Sequence, residues 1–93
     1  MDVYKLEGVC RYFTTYSGVK LPIKLMQPID VSATENRNTY FIGYFDQNER
    51  MTGFQKMVYG EIEMQHKYTF NQEGVLTQAE IMDAEQEVTV LNF

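Results

Sequence analysis

Gly60-Glu61-Ile62-Glu63-Met64-Gln65-His66-Lys67-Tyr68-Thr69-Phe70-Asn71-Gln72-Glu73-Gly74 decides how the rest of the chain is read. Ile62, Met64, His66, Tyr68 and Phe70 share one parity; Glu61, Glu63, Gln65, Lys67 and Thr69 share the other. A period of two sends successive side chains to opposite faces of a sheet. One face is then packed and the other wet, which is the pattern of an antiparallel strand. The run stops at a glycine-bearing turn, and a second strand begins at Val75 and continues to Met82. The expected class is a small, mainly β chain.

Working outward, the same alternation recurs on both sides. A strand is expected from about Val3 to Tyr16, with Tyr4, Leu6, Cys10, Tyr12 and Tyr16 inward and Lys5, Glu7 and Arg11 outward. Ser17-Gly18 reads as a turn. Lys20 to Met26 alternates cleanly, with Leu21, Ile23 and Leu25 inward. Pro22 cannot donate to a ladder, which puts this segment at an edge, and its lysines guard that edge against unwanted pairing. Pro28 to Asn38 is the longest polar connection, with room for one helical turn capped by Asp30 or Ser32. Thr39 to Phe45 carries Tyr40, Ile42 and Tyr44 on one parity and Phe41 and Phe45 on the other, so both faces of that strand are covered. Met51 to Tyr59 and Glu87 to Phe93 complete the set.

The octapeptides Phe45-Asp46-Gln47-Asn48-Glu49-Arg50-Met51-Thr52 and Phe70-Asn71-Gln72-Glu73-Gly74-Val75-Leu76-Thr77 overlay without a gap. Each reads as a hairpin whose Asp or Asn bends the chain by bonding its own backbone. The pair resembles the hairpin of tyrosine–aspartate repeat proteins, in which an aromatic, an Asp or Asn, then Gly and Leu recur. That resemblance implies hairpin geometry and no activity.

These elements predict a single domain over residues 1–93: a small curled antiparallel sheet of five to seven strands in meander order. It closes toward a small barrel or wraps one short helix, with a pairing between the first and last strands as a further expectation. Ninety-three residues with 44% hydrophobic content, seven tyrosines and six phenylalanines suit a folded chain with one core. No apolar run is long enough for a transmembrane helix, and Met1-Asp2-Val3-Tyr4-Lys5 lacks the apolar stretch of a secretory signal. The single cysteine, Cys10, fits a reducing compartment, so a cytoplasmic location is expected.

Charge is distributed unevenly. The net charge is −5, yet residues 1–60 hold seven Lys/Arg against six Asp/Glu. Residues 61–93 hold Lys67 alone against Glu61, Glu63, Glu73, Glu80, Asp83, Glu85 and Glu87. Such a surface repels nucleic-acid phosphates and attracts basic proteins. Motifs for phosphate loops, dinucleotide folds, nucleophile elbows and calcium loops are missing. His66 shares the apolar parity and reads as a core histidine; one Cys and one His cannot close a zinc site. A Cys10–His66 nucleophile pair is conceivable, because both are expected on the inward parity, but no local signature supports it and buried cysteines are usually inert. Glu61 and Glu63 share a wet face, unlike a glycosidase pair, one member of which sits in an apolar pocket. No cofactor or metal is expected, and catalysis ranks last, since it requires His66 exposed in a cleft beside a carboxylate.

The expected function is a small acidic binding or inhibitor protein of the immunity-protein or phage-inhibitor type. It would dock on a basic protein partner through Glu61, Glu63, Glu80, Asp83, Glu85 and Glu87, with Arg37 and Tyr40 alongside. Tyr44 and Tyr59 lie in the same region of the chain; core packing accounts for most of these tyrosines, whereas exposed aromatics beside carboxylates would mark a docking site. The alternatives are a small-ligand-binding β domain with a Tyr/Met-lined pocket, or a structural interaction module. A homodimer is compatible with either.

Overall fold

The computed structural model describes residues 6, 8–18 and 20–93. The described residues form seven strands: β1 (Val9–Ser17), β2 (Lys24–Ile29), β3 (Thr39–Phe45), β4 (Met51–Val58), β5 (Glu61–Phe70), β6 (Leu76–Met82) and β7 (Val88–Asn92). All are antiparallel and form one sheet in the order β2-β1-β3-β4-β5-β6-β7. β3 to β7 follow chain order as a meander, and the β1–β2 hairpin is turned outward so that β1 lies against β3. The sheet is open: β2 and β7 are its edges, and the expected pairing of the first and last strands is replaced by β1–β3. The expected residues 3–5 and 7 of the first strand lie outside the described residues. No helix of the described residues is long and apolar enough to cross a membrane.

Register explains where the core sits. Phe13 pairs with Phe41, Phe54 with His66, and Tyr68 with Ala79, so these six side chains share one face. Phe13, Phe41, Phe54, Tyr68 and Ala79 are buried there together with Leu25. Phe54 is the largest fully buried side chain, its ring 4.6 Å from His66, 6.1 Å from Phe41 and 6.5 Å from Tyr68. Aromatic rings at such separations add attraction beyond area burial.

Residues 21–23, just before β2, fold back over this face. Leu21 and Ile23 pack against the core, as their parity predicts, while Lys20, Pro22 and Lys24 stay exposed. Leu25 reaches inward over Gly43, where a Cβ would stand only 3.0 Å from its Cδ1. β2 is an edge, as expected, although it begins after Pro22, whose peptide bond with Leu21 is cis, and instead contains Pro28. Val31–Asn36 forms a six-residue 3₁₀ segment, about two turns where one was expected of the polar connection. The Asp30 carbonyl accepts from Ala33 N–H at 2.9 Å, but no side chain caps it.

Three connections share one construction. Asp46 Oδ1 accepts the N–H groups of Asn48 (2.8 Å) and Arg50 (3.0 Å). Asn71 Oδ1 accepts those of Glu73 and Val75, and Asp83 Oδ1 those of Glu85 and Glu87. In each, the fourth residue has positive φ: Glu49 at 60°, Gly74 at 81° and Gln86 at 66°. This is a type I turn followed by a left-handed residue, which matches the twist of the flanking strands. The first two turns confirm the repeat read from the sequence; the third extends it. Tyr59-Gly60 instead makes a two-residue hairpin with φ of 50° and 82°, the doubly positive combination in which glycine is favoured.

The opposite face is not uniformly wet. Gln65, expected in water, is only 3% exposed, and its Oε1 accepts from Gln55 Nε2 at 2.9 Å. Gln55 in turn accepts from the Tyr44 hydroxyl at 3.1 Å. Tyr12, Tyr40, Ile42 and Tyr44 are half-buried around this polar chain, so β3 is covered on both sides as its sequence requires.

Candidate functional site

His66 lies on the core face of β5 and is 3% exposed. Its Nδ1 is 2.7 Å from the Tyr68 hydroxyl, whose oxygen accepts the Ile23 N–H at 3.2 Å. The two side chains share one hydrogen bond, and the hydroxyl oxygen also takes the Ile23 N–H. Burial lowers His66 to a pKa of about 4 and raises Tyr68 to about 12, so both are neutral near pH 7. The pair fastens the segment around Ile23 to the sheet. Cys10 is exposed and stands in register with Tyr44 on the other face, so the two side chains of the conceivable nucleophile pair are separated by the sheet itself. Burial, followed by the neighbouring Cys10 thiol, raises the Tyr44 pKa. Arg11, expected outward, lies on the core face with its guanidinium 5.0 Å from the Phe45 ring centroid. Among the described residues no three His, Cys, Asp or Glu side chains gather to hold a metal ion.

The carboxylates of the final third fall into two groups. β5 begins at Glu61 beside the turn 83–87, since Gln65 pairs with Met82 and the two strands diverge from there. Glu61 and Ile62 share a shallow depression with Ala84 and Gln86. Glu61, Glu85 and Glu87 are exposed at this end. Glu63 is half-buried by a 2.9 Å ion pair with Lys56. Asp83 belongs to the same end, but one of its oxygens is occupied by two backbone N–H groups, which makes it first a turn-former. Glu80 stands apart, half-buried on β6 opposite Lys67. Arg37 is exposed just before β3, and the neighbouring Asn38 carbonyl accepts from Tyr59 N–H at 2.7 Å, which ties that segment to the same end. Tyr40 is half-buried with its ring 6.3 Å from Tyr12, so packing occupies it.

Two side chains outside the expected docking set complete this end. Tyr59, at the hairpin tip next to Glu61, is 76% exposed, and Ile62, expected in the packed face, is 40% exposed. The signal for Tyr59 was the dipeptide Tyr59-Gly60: a two-residue turn leaves no sheet to cover its first side chain. Ile62 escapes the core because β4 and β5 lose register between Lys56 and Met57, near the hairpin end.

A second concavity lies on the core face, where β1, β3 and β5 approach the turns at 46–50 and 71–75. It has a volume of about 560 Å³ and is lined by Phe13, Ile23, Leu25, Phe45, Met51 and Phe70, with Arg11, Lys24 and Arg50 around them. The small-ligand alternative called for a Tyr/Met-lined pocket, whereas among the described residues these walls are phenylalanine and aliphatic side chains, with Met51 the one methionine and no tyrosine.

No curated protein and no solved structure matches the chain. A family model described as "Family of unknown function (DUF6156)" matches residues 5–93, and the chain belongs to that family.

Proposed function

We propose that this is a small non-catalytic binding protein of the inhibitor or immunity-protein kind, which docks on a basic protein surface through the end formed by Tyr59, Gly60, Glu61, Ile62 and the turn 83–87. The observation that carries the reading is Tyr59, a largely exposed aromatic at a hairpin tip next to Glu61 and Ile62, at the end of the sheet that the turn 83–87, with exposed Glu85 and Glu87, shares. Rigid aromatic anchors ringed by polar groups dominate the energetics of protein interfaces. Carboxylates of one sign around such an anchor accelerate encounter with a basic partner and make it salt-dependent. Glu63 contributes less, being neutralised by Lys56, and Glu80 lies outside the contact area.

The test is capture from a lysate of the source organism at low and high salt, with immobilised wild type, Tyr59→Ala and a Glu61→Gln/Glu85→Gln/Glu87→Gln variant. The expected result is a basic protein retained by the wild type at low salt and released at high salt. Tyr59→Ala should weaken the purified complex by roughly thirtyfold, the effect of a 2 kcal/mol hot spot. Equal retention by all three baits, or capture indifferent to salt, would contradict the proposal.

A further inference from the structure

The groove at the other end of the core face has its own chemistry, independent of the acidic end. Three of the eight lysines and arginines of an acidic chain line it: Arg11 from β1, Lys24 from β2 and Arg50 from the turn before β4. Among the described residues no carboxylate lines it. The two guanidinium groups are held in matching positions, Arg11 over Phe45 and Arg50 over Phe70, each 5.0 Å from the ring centroid. A guanidinium stacked on a ring face keeps its planar fork of donors directed sideways, where it suits a carboxylate. Arg11 also touches Glu49 at 3.4 Å, but that pair is half or more exposed, so it yields readily to a competing anion.

Beneath these cations the floor is apolar. Phe13, Leu25, Phe45, Met51 and Phe70 supply it, and the cavity of about 560 Å³ lies within the size range of small-molecule sites. An inorganic anion would leave this floor wet, and an uncharged hydrocarbon would leave the cations unused. A ligand with an aliphatic body and one anionic end satisfies both halves. We infer that the groove binds a single-chain aliphatic carboxylate, its chain on the phenylalanine floor and its carboxylate between Arg11, Arg50 and Lys24.

The probes are decanoate, decanol and decyltrimethylammonium, each below its micelle concentration, titrated into the full chain by calorimetry and by amide chemical-shift mapping. Decanoate is expected to bind at least tenfold more tightly than decanol, with shifts centred on Phe45, Arg50 and Phe70, and the cationic amphiphile not to bind there. Lys24→Gln, at an exposed position that leaves the packing intact, should lower decanoate affinity several-fold while decanol binding is unchanged. Arg50→Gln should lower it about tenfold, and Arg50→Lys, which keeps the charge, should recover part of the loss. Decanoate binding no tighter than decanol, affinity unaltered in Lys24→Gln and Arg50→Gln, or shifts confined to residues 59–63 and 83–87 would overturn the inference. Because the docking proposal concerns residues at the opposite end, either one can fail while the other stands.

Discussion

Phe54 has no exposed surface and sits at the meeting point of the Phe41, His66 and Tyr68 rings. Truncating it leaves a cavity that an antiparallel sheet cannot collapse, so Phe54→Ala is expected to cost about 3–5 kcal/mol in urea unfolding. A loss under about 1 kcal/mol would mean that this face is not the core. His66 gives the residue scale a pH dependence. Its folded pKa of about 4 lies below the ordinary 6.5, so on acidification the unfolded chain takes up the proton first. Stability from this group is complete above pH 6.5 and is lost as pH falls toward 4. Relative to a His66→Gln variant, the wild type should lose roughly 2–3 kcal/mol between pH 7 and pH 4.5. Identical pH profiles for the two proteins would rule out a buried neutral histidine. That His66 belongs to the core was legible in its parity with Met64 and Tyr68. That Phe13 rather than Tyr12 faces the core was not, because β1 carries aromatics on both parities and both faces of the sheet are covered.

At the scale of elements, the turn at 83–87 completes a series whose first two members the sequence displays openly. Met82-Asp83-Ala84-Glu85-Gln86-Glu87-Val88-Thr89 keeps the acceptor and the closing apolar–Thr pair of the other two, but Met82 replaces the aromatic and Ala84 the Gln. The physical requirement is only an Asp or Asn oxygen and a left-handed fourth residue, so the aromatic was a misleading part of the pattern. Glu49 and Gln86 occupy the position that Gly74 fills without a Cβ penalty. Glu49→Gly and Gln86→Gly should each raise stability by about 1 kcal/mol, since a non-glycine residue held at positive φ is strained. Asn71→Ala removes the acceptor for two N–H groups and should lower stability by roughly 1–2 kcal/mol in the same unfolding assay. A glycine substitution that destabilises would show that these side chains earn their positions through contacts instead. The strands β3 and β5 were readable to the residue because alternation and a turn bound each at both ends. β2 was displaced from 20–26 to Lys24–Ile29 because Leu21 and Ile23 alternate for a different reason, packing across the sheet rather than within it.

On the scale of the whole molecule, the fold sorts charge in a way that a linear count conceals. The excess of carboxylates after residue 60 was plain in the sequence, but Glu80 is set apart on β6, Glu63 is paired with Lys56, and Asp83 serves its turn. What remains is a smaller acidic end around Tyr59, while Arg11, Lys24 and Arg50 converge on the groove from three separate elements. No local pattern announces that convergence, because it depends on the β2-β1-β3 order and on register between segments far apart in the chain. The most direct measurement of the proposed docking is amide chemical-shift mapping of the labelled protein titrated with whichever basic protein the capture experiment retains. Shifts and line broadening concentrated at residues 59–63 and 83–87, and abolished by Tyr59→Ala, are the predicted result. Perturbations centred on β1 and β2, with 59–63 and 83–87 unmoved, would contradict it.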